Sequence, residues 1–145
     1  MATEIIMLVD DDRNLQWALK YRLEKEGYDV LLAADGLDAL EKIKVRAPDL
    51  IILDLAMPRM NGFGLLEQMR CEVGGSAVPV IVLTAYSYES NRARCLELGA
   101  VQFLPKPFSP RQLVTEIGRI LGANKPYQSI FTPNPHGFQA VFSQA

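Results

Sequence analysis

Apolar residues fall along this chain in two alternating patterns. Continuous apolar runs of strand length lie near residues 4–9, 28–33, 49–53, 79–83 and 101–104. Between them, apolar positions recur at spacings of three and four, the period of a helix with one buried side. Leu15, Ala18, Leu19, Arg22, Leu23 and Glu26 predict a helix over about 13–26, stopped by Gly27. Leu37, Leu40, Ile43 and Ala47 predict a second, closed by Pro48. Leu65, Leu66 and Met69 mark a third after Gly62, and the fourth covers roughly 87–98 up to Gly99. Leu113, Val114, Ile117, Ile120 and Leu121 mark the fifth, ending at Gly122. Strands without polar alternation are those covered on both faces. Five strand–helix repeats therefore predict an α/β fold, a doubly wound five-stranded parallel sheet with right-handed crossovers. With strand order 2-1-3-4-5, strands 1 and 3 flank the point where the order reverses, and a ligand site is expected beyond their carboxyl ends.

Those two strands end in acids. Ile5-Ile6-Met7-Leu8-Val9 runs into Asp10, Asp11 and Asp12, and Leu50-Ile51-Ile52-Leu53 runs into Asp54. Carboxylates crowded at one sheet edge repel unless a cation joins them or one stays protonated. The pattern predicts a hard-cation site of oxygen ligands suited to Mg²⁺. Thr84 follows the fourth apolar run and Lys106 the fifth. Carboxylates, a hydroxyl and an ammonium at one edge suit a phosphoryl group: a carboxylate can attack phosphorus once the surrounding charge is neutralised. Asp12, beside Arg13 and Asn14, reads instead as a cap on the first helix.

Composition narrows the function classes. A net charge of −2 without a basic cluster argues against direct nucleic-acid binding. No apolar run approaches the roughly 18 residues of a membrane span. The sequence opens almost directly on a strand, so no signal peptide is expected. Cys71 and Cys95 lack metal or redox spacing, which suits reduced thiols in a cytoplasmic protein.

Val9-Asp10-Asp11, Asp54 with Met57-Pro58 and Asn61-Gly62, Thr84-Ala85, and Lys106-Pro107-Phe108 stand in order on the predicted elements. Over about residues 3–122 the chain resembles a response-regulator receiver domain of two-component signalling, chemotaxis-regulator-like, with a flavodoxin-like (βα)5 fold. The resemblance implies that Asp54 is the phosphoacceptor, that Asp11 is a direct Mg²⁺ ligand with Asp10 acting beside it through water, and that the backbone carbonyl of Ala56 completes the protein's share. It implies that Thr84 binds the phosphoryl group, that Lys106 pairs with it across a cis bond to Pro107, and that Phe103 is the switch aromatic. The donor would be a sensor histidine kinase or a phosphotransfer protein, and the signal would leave through the face of helix 4, strand 5 and helix 5. Such a domain phosphorylates itself rather than turning over a substrate. Ala56 and Tyr86 depart from the residues common at their positions, which the family associates with water's access to the acyl phosphate. A bulky Tyr86 predicts a phosphorylated state that is not short-lived.

Two other classes fit parts of the pattern. A haloacid-dehalogenase-like phosphohydrolase would use Asp10 as nucleophile and Asp12 as second acid, and a pseudo-receiver would act by binding alone. Residues 1–122 are expected to form the receiver. Residues 123–145, with Pro126, Pro133 and Pro135, read as a tail or linker stub. Residues 123–145 leave no room for an output domain, so either a downstream protein target or a missing C-terminal domain takes the signal. His136, the single histidine, lies between Pro135 and Gly137 rather than on a helix, so the chain is not also a kinase. Tyr127, Ile130, Phe131, Phe138 and Phe142 make the tail apolar enough to dock on its own switch face or on a neighbouring subunit. A dimer is therefore expected through the tail or through the helix 4–strand 5–helix 5 face.

Overall fold

The computed structural model describes residues 3–57, 60–72 and 78–123. Pro58 and the tail beyond Ala123, with its expected docking, lie outside the described residues. The chain divides into one unit through Phe108 and a second from Ser109.

The first unit holds β1 (Ile5–Val9), α1 (Arg13–Lys25), β2 (Asp29–Ala33), α2 (Gly36–Val45), β3 (Leu50–Leu53), α3 (Gly62–Glu72), β4 (Val80–Thr84), α4 (Glu89–Glu97) and β5 (Gln102–Pro105). The strands are parallel in the order β2-β1-β3-β4-β5. Right-handed crossovers in that order put α1 on one face and α2, α3 and α4 on the other. Alternate strand residues feed each face. Met7, Val9, Ile51, Leu53, Val80, Val82 and Phe103 pack with Leu40, Ile43, Leu65, Met69 and Cys95 in one buried cluster. On the opposite face Leu8, Ile52 and Leu83 meet Leu15 and Leu19 of α1.

The second unit contributes α5 (Pro110–Ala123). The Ser109 hydroxyl accepts from the Gln112 N–H and caps its start. Leu113, Ile117, Ile120 and Leu121 are buried. The helix continues through Gly122 rather than ending there, because one glycine does not outweigh the hydrogen bonds of a formed last turn.

Two helical stripes differ from the sequence expectation. In α1 the inward residues are Gln16, Leu19 and Leu23, while Ala18 faces solvent. In α2 they are Gly36, Ala39, Leu40 and Ile43; Leu37 is exposed and Ala47 lies beyond the helix end. Both shifts keep the helical period and rotate its phase, which the sheet decides rather than the helix. Trp17 and Tyr21 stand on the outer side of α1, with the Lys20 ammonium 5.8 Å from the Trp17 ring.

Candidate functional site: an acidic cluster at the ends of β1 and β3

Register brings the acids together. Val9 lies opposite Leu53, and the Asp54 N–H donates to the Val9 carbonyl at 2.9 Å. The next residues of the two strands, Asp10 and Asp54, therefore leave the sheet side by side. A carboxylate oxygen from each of Asp10, Asp11 and Asp54 lies within 4.8 Å of the others. Asp10 and Asp54 are buried and Asp11 is exposed. The first two are held by the fold, and the third stands at the solvent side.

The opposite wall comes from β4 and β5. Thr84, the last residue of β4, is fully enclosed. Its hydroxyl favours the charged form of Asp54 and accepts from the Tyr86 N–H at 3.2 Å. The Lys106 N–H donates to the Thr84 carbonyl at 2.9 Å, which fixes the start of the lysine side chain. The Lys106 ammonium donates to Asp10 Oδ2 at 2.8 Å and stands 3.8 Å from Asp54 Oδ2. The Lys106–Pro107 peptide is cis. The five side chains at 10, 11, 54, 84 and 106 thus converge on one end of the sheet.

Asp10 is the most constrained of the acids. Its N–H donates to the Ala33 carbonyl at 3.2 Å, its Oδ1 accepts from the Asp12 N–H at 2.9 Å, and its Oδ2 accepts from Lys106. Asp12 turns away from the cluster and caps α1, accepting from the Leu15 N–H at 3.1 Å. The second acid that a phosphohydrolase reading requires is therefore occupied as a helix cap.

Asp54 is held above the usual carboxylate range. Burial is the largest cause, and the neighbouring Asp10 adds to it. Lys106, the Thr84 hydroxyl and the Leu55 backbone act the other way. Of these three clustered carboxylates, Asp10 and Asp54 lie within ion-pair distance of the Lys106 ammonium. The surplus is negative and every donor atom is oxygen, which is the chemistry of a hard divalent cation site.

The loop after Asp54 lies close to its backbone. The Gly62 N–H donates to the Leu55 carbonyl at 2.9 Å, and a Cβ at Gly62 would stand 2.6 Å from the Asp54 carbonyl oxygen. Only glycine fits there. Asn61 caps α3 by accepting from the Gly64 N–H at 3.0 Å. Beside this loop is an open hollow of about 340 Å³, lined by Ala56, Met57, Phe63, Tyr86 and Asn91 among others. Ala56 and Tyr86 are exposed at its rim. Phe103 is 7% exposed within the core cluster.

Sequence reading did not single out Gln16. It is buried, and its amide nitrogen donates to the Leu8 and Ala33 carbonyls at 3.3 and 2.8 Å. The available signal was its spacing of three and seven from Leu19 and Leu23, which puts a polar side chain on an otherwise apolar stripe.

The family model of the response regulator receiver domain matches residues 6–118, and the chain belongs to that family. The probable transcriptional regulator ycf27 of Porphyridium aerugineum is 44% identical over 121 residues, which are 83% of this chain and 49% of that protein. A CheY-like receiver domain protein from Methanospirillum hungatei JF-1 superposes with a TM-score of 0.80 at 31% identity, over 87% of this chain and 99% of that one. The receiver domain of the sensor histidine kinase PA1611 from Pseudomonas aeruginosa PAO1 was solved with a magnesium ion in its active-site cleft. It superposes with a TM-score of 0.75 at 32% identity, over 83% of this chain and 99% of that one. This chain spans about half the length of the curated relatives it matches. Among the described residues, no helix is long and apolar enough to cross a membrane.

Proposed function

We propose that this receiver domain is switched by transfer of a phosphoryl group from a partner's phosphohistidine to Asp54, with Mg²⁺ as cofactor. The observation that carries the reading is the surplus of carboxylate charge around Asp54, with one ammonium and one buried hydroxyl in reach. A carboxylate oxygen of Asp54 attacks phosphorus, the P–N bond to the imidazole breaks, and the electron pair leaves with the ring. Asp10, Asp11, Asp54 and the Ala56 carbonyl would hold Mg²⁺, which supplies charge neutralisation at the phosphoryl oxygens. The magnesium bound by the related PA1611 receiver supports that choice of ion.

Lys106 spans Asp10 and Asp54 and can follow the new charge, pairing with a phosphoryl oxygen. Thr84 lies close enough to donate its hydroxyl to another. These two movements pull on β4 and β5, and Phe103, beside Val82 in the register, carries the change toward α4. Tyr86 lines the hollow that also holds Leu55 and Ala56, the residues directly after Asp54, and from there it slows the approach of water. The donor is a sensor histidine kinase or a phosphotransfer protein. The receiver spans residues 1–122, and its signal passes either to a downstream protein target or to a C-terminal output domain of a longer protein, the second supported by transcriptional regulators about twice its length.

The direct test is exposure to a small phosphodonor with Mg²⁺, followed by intact-mass measurement. Wild type is expected to gain one phosphoryl group and Asp54→Asn none. Equal gain by both proteins would move the acceptor to another residue.

A further inference from the structure

We propose that Gln16 is a positioning residue of the cation pocket: its buried amide fixes the point at which Asp10 and Asp11 leave β1. The inference rests on the Mg²⁺-dependent reading above. A primary amide with 6% exposure costs stability unless its polar atoms find partners. Both groups facing the Gln16 head are carbonyl oxygens, so the atom presented to them is the nitrogen, and both of its hydrogens are used. The partners are informative. Leu8 is two residues before Asp10, and the Ala33 carbonyl is the one that also receives the Asp10 N–H. One oxygen at the end of β2 thus holds both the backbone of Asp10 and the side chain of Gln16.

A second path runs between the same two elements. Asp10 Oδ1 takes the Asp12 N–H, Asp12 caps α1, and the Gln16 N–H returns to the Asp12 carbonyl at 3.0 Å. The turn carrying Asp11 is therefore closed at one end by Asp10 and at the other by Gln16. Leucine or methionine at position 16 would fill the space equally well. Neither could donate a hydrogen bond to the Leu8 and Ala33 carbonyls, which would face an apolar group.

Metal sites in which a residue outside the ligand set orients the ligands lose about 10–100-fold in metal affinity when that residue is removed. Calorimetric titration with MgCl₂ of wild type, Gln16→Met and Leu23→Ala separates positioning from general support. Leu23→Ala removes a buried α1 side chain without touching the carbonyls. The expected result is an affinity about tenfold weaker in Gln16→Met and within about twofold of wild type in Leu23→Ala. Equal loss in both variants, or none in Gln16→Met, overturns the proposal. A measurement on wild type needs no variant: the Gln16 side-chain amide resonances are expected to shift on saturation with Mg²⁺, and resonances that stay in place overturn it as well. Absence of any Mg²⁺ binding by wild type would instead overturn the reading on which the inference rests.

Discussion

Asp54 shows how burying one carboxyl group makes stability depend on pH. Its carboxyl group is held above the ordinary value of 3.8, mainly by burial. The folded state therefore binds its proton more tightly than the unfolded state does. Stability from this group is fully present below the unfolded value and is lost as pH rises through the folded one. Asp54→Asn removes that loss. In a chelator, the variant is expected to melt at a higher temperature than wild type at pH 7, with the difference vanishing below about pH 4. Equal melting temperatures across that range would show that Lys106 and Thr84 compensate the burial completely. Tyr86 makes a second case at this scale. Exposed on the hollow's rim, it has little to do for the core, so Tyr86→Ala is expected to leave the melting temperature nearly unchanged while the acyl phosphate decays several-fold faster. Unchanged decay, followed by intact mass, would remove the shielding role.

The elements carrying these residues are tied together by close backbone approaches. The Gly36 N–H at the start of α2 donates to the Met60 carbonyl at 3.0 Å, and a Cβ there would stand 2.6 Å from that same oxygen. Gly36→Ala forces α2 and the loop before α3 apart. Overpacking of this kind costs about 1–3 kcal/mol, measurable by urea unfolding. The same displacement bears on the loop that follows Asp54, so slower phosphorylation should accompany it. This contact was illegible in the sequence, because Gly36 and Met60 belong to different repeats and nothing local announces their meeting. Helix stops were legible: Gly27 and Gly99 both adopt positive φ after α1 and α4, as their places after the last periodic residue imply. Helix phase was legible only in part. Ala18 and Gln16 are both compatible with the α1 period, and a polar residue is the natural choice to place outside. The strand-end carbonyls reverse that choice, since they need a donor that alanine lacks.

At the scale of the whole molecule, the sheet was readable because each strand is a mostly apolar run, and β1, β3, β4 and β5 lead into the chemically distinct Asp10, Asp54, Thr84 and Lys106. Register then turns that list into a place: Val9 opposite Leu53 and Thr84 opposite Pro105 set the acids, hydroxyl and ammonium at one end. The division of labour among three consecutive acids was only partly readable, since Asp10, Asp11 and Asp12 differ in backbone direction rather than in kind. Charge surplus at that end makes the fold sensitive to cations. Mg²⁺ at a hundred times its dissociation constant adds about 2.7 kcal/mol to a protein that binds it only when folded. A chelator is then expected to lower the melting temperature by roughly 5–10 °C in wild type, and by much less in Asp11→Ala. An equal drop in both would place the ion elsewhere.

The chain's single indole belongs to Trp17, immediately after Gln16 and turned toward solvent. An optical label thus sits on the helix whose Gln16 donates to the Leu8 and Ala33 carbonyls, on its solvent side. Emission excited at the red edge, where indole absorbs and tyrosine does not, reports on α1 alone, so quenching or brightening on addition of Mg²⁺ or a phosphodonor would reveal motion of that helix without any added dye.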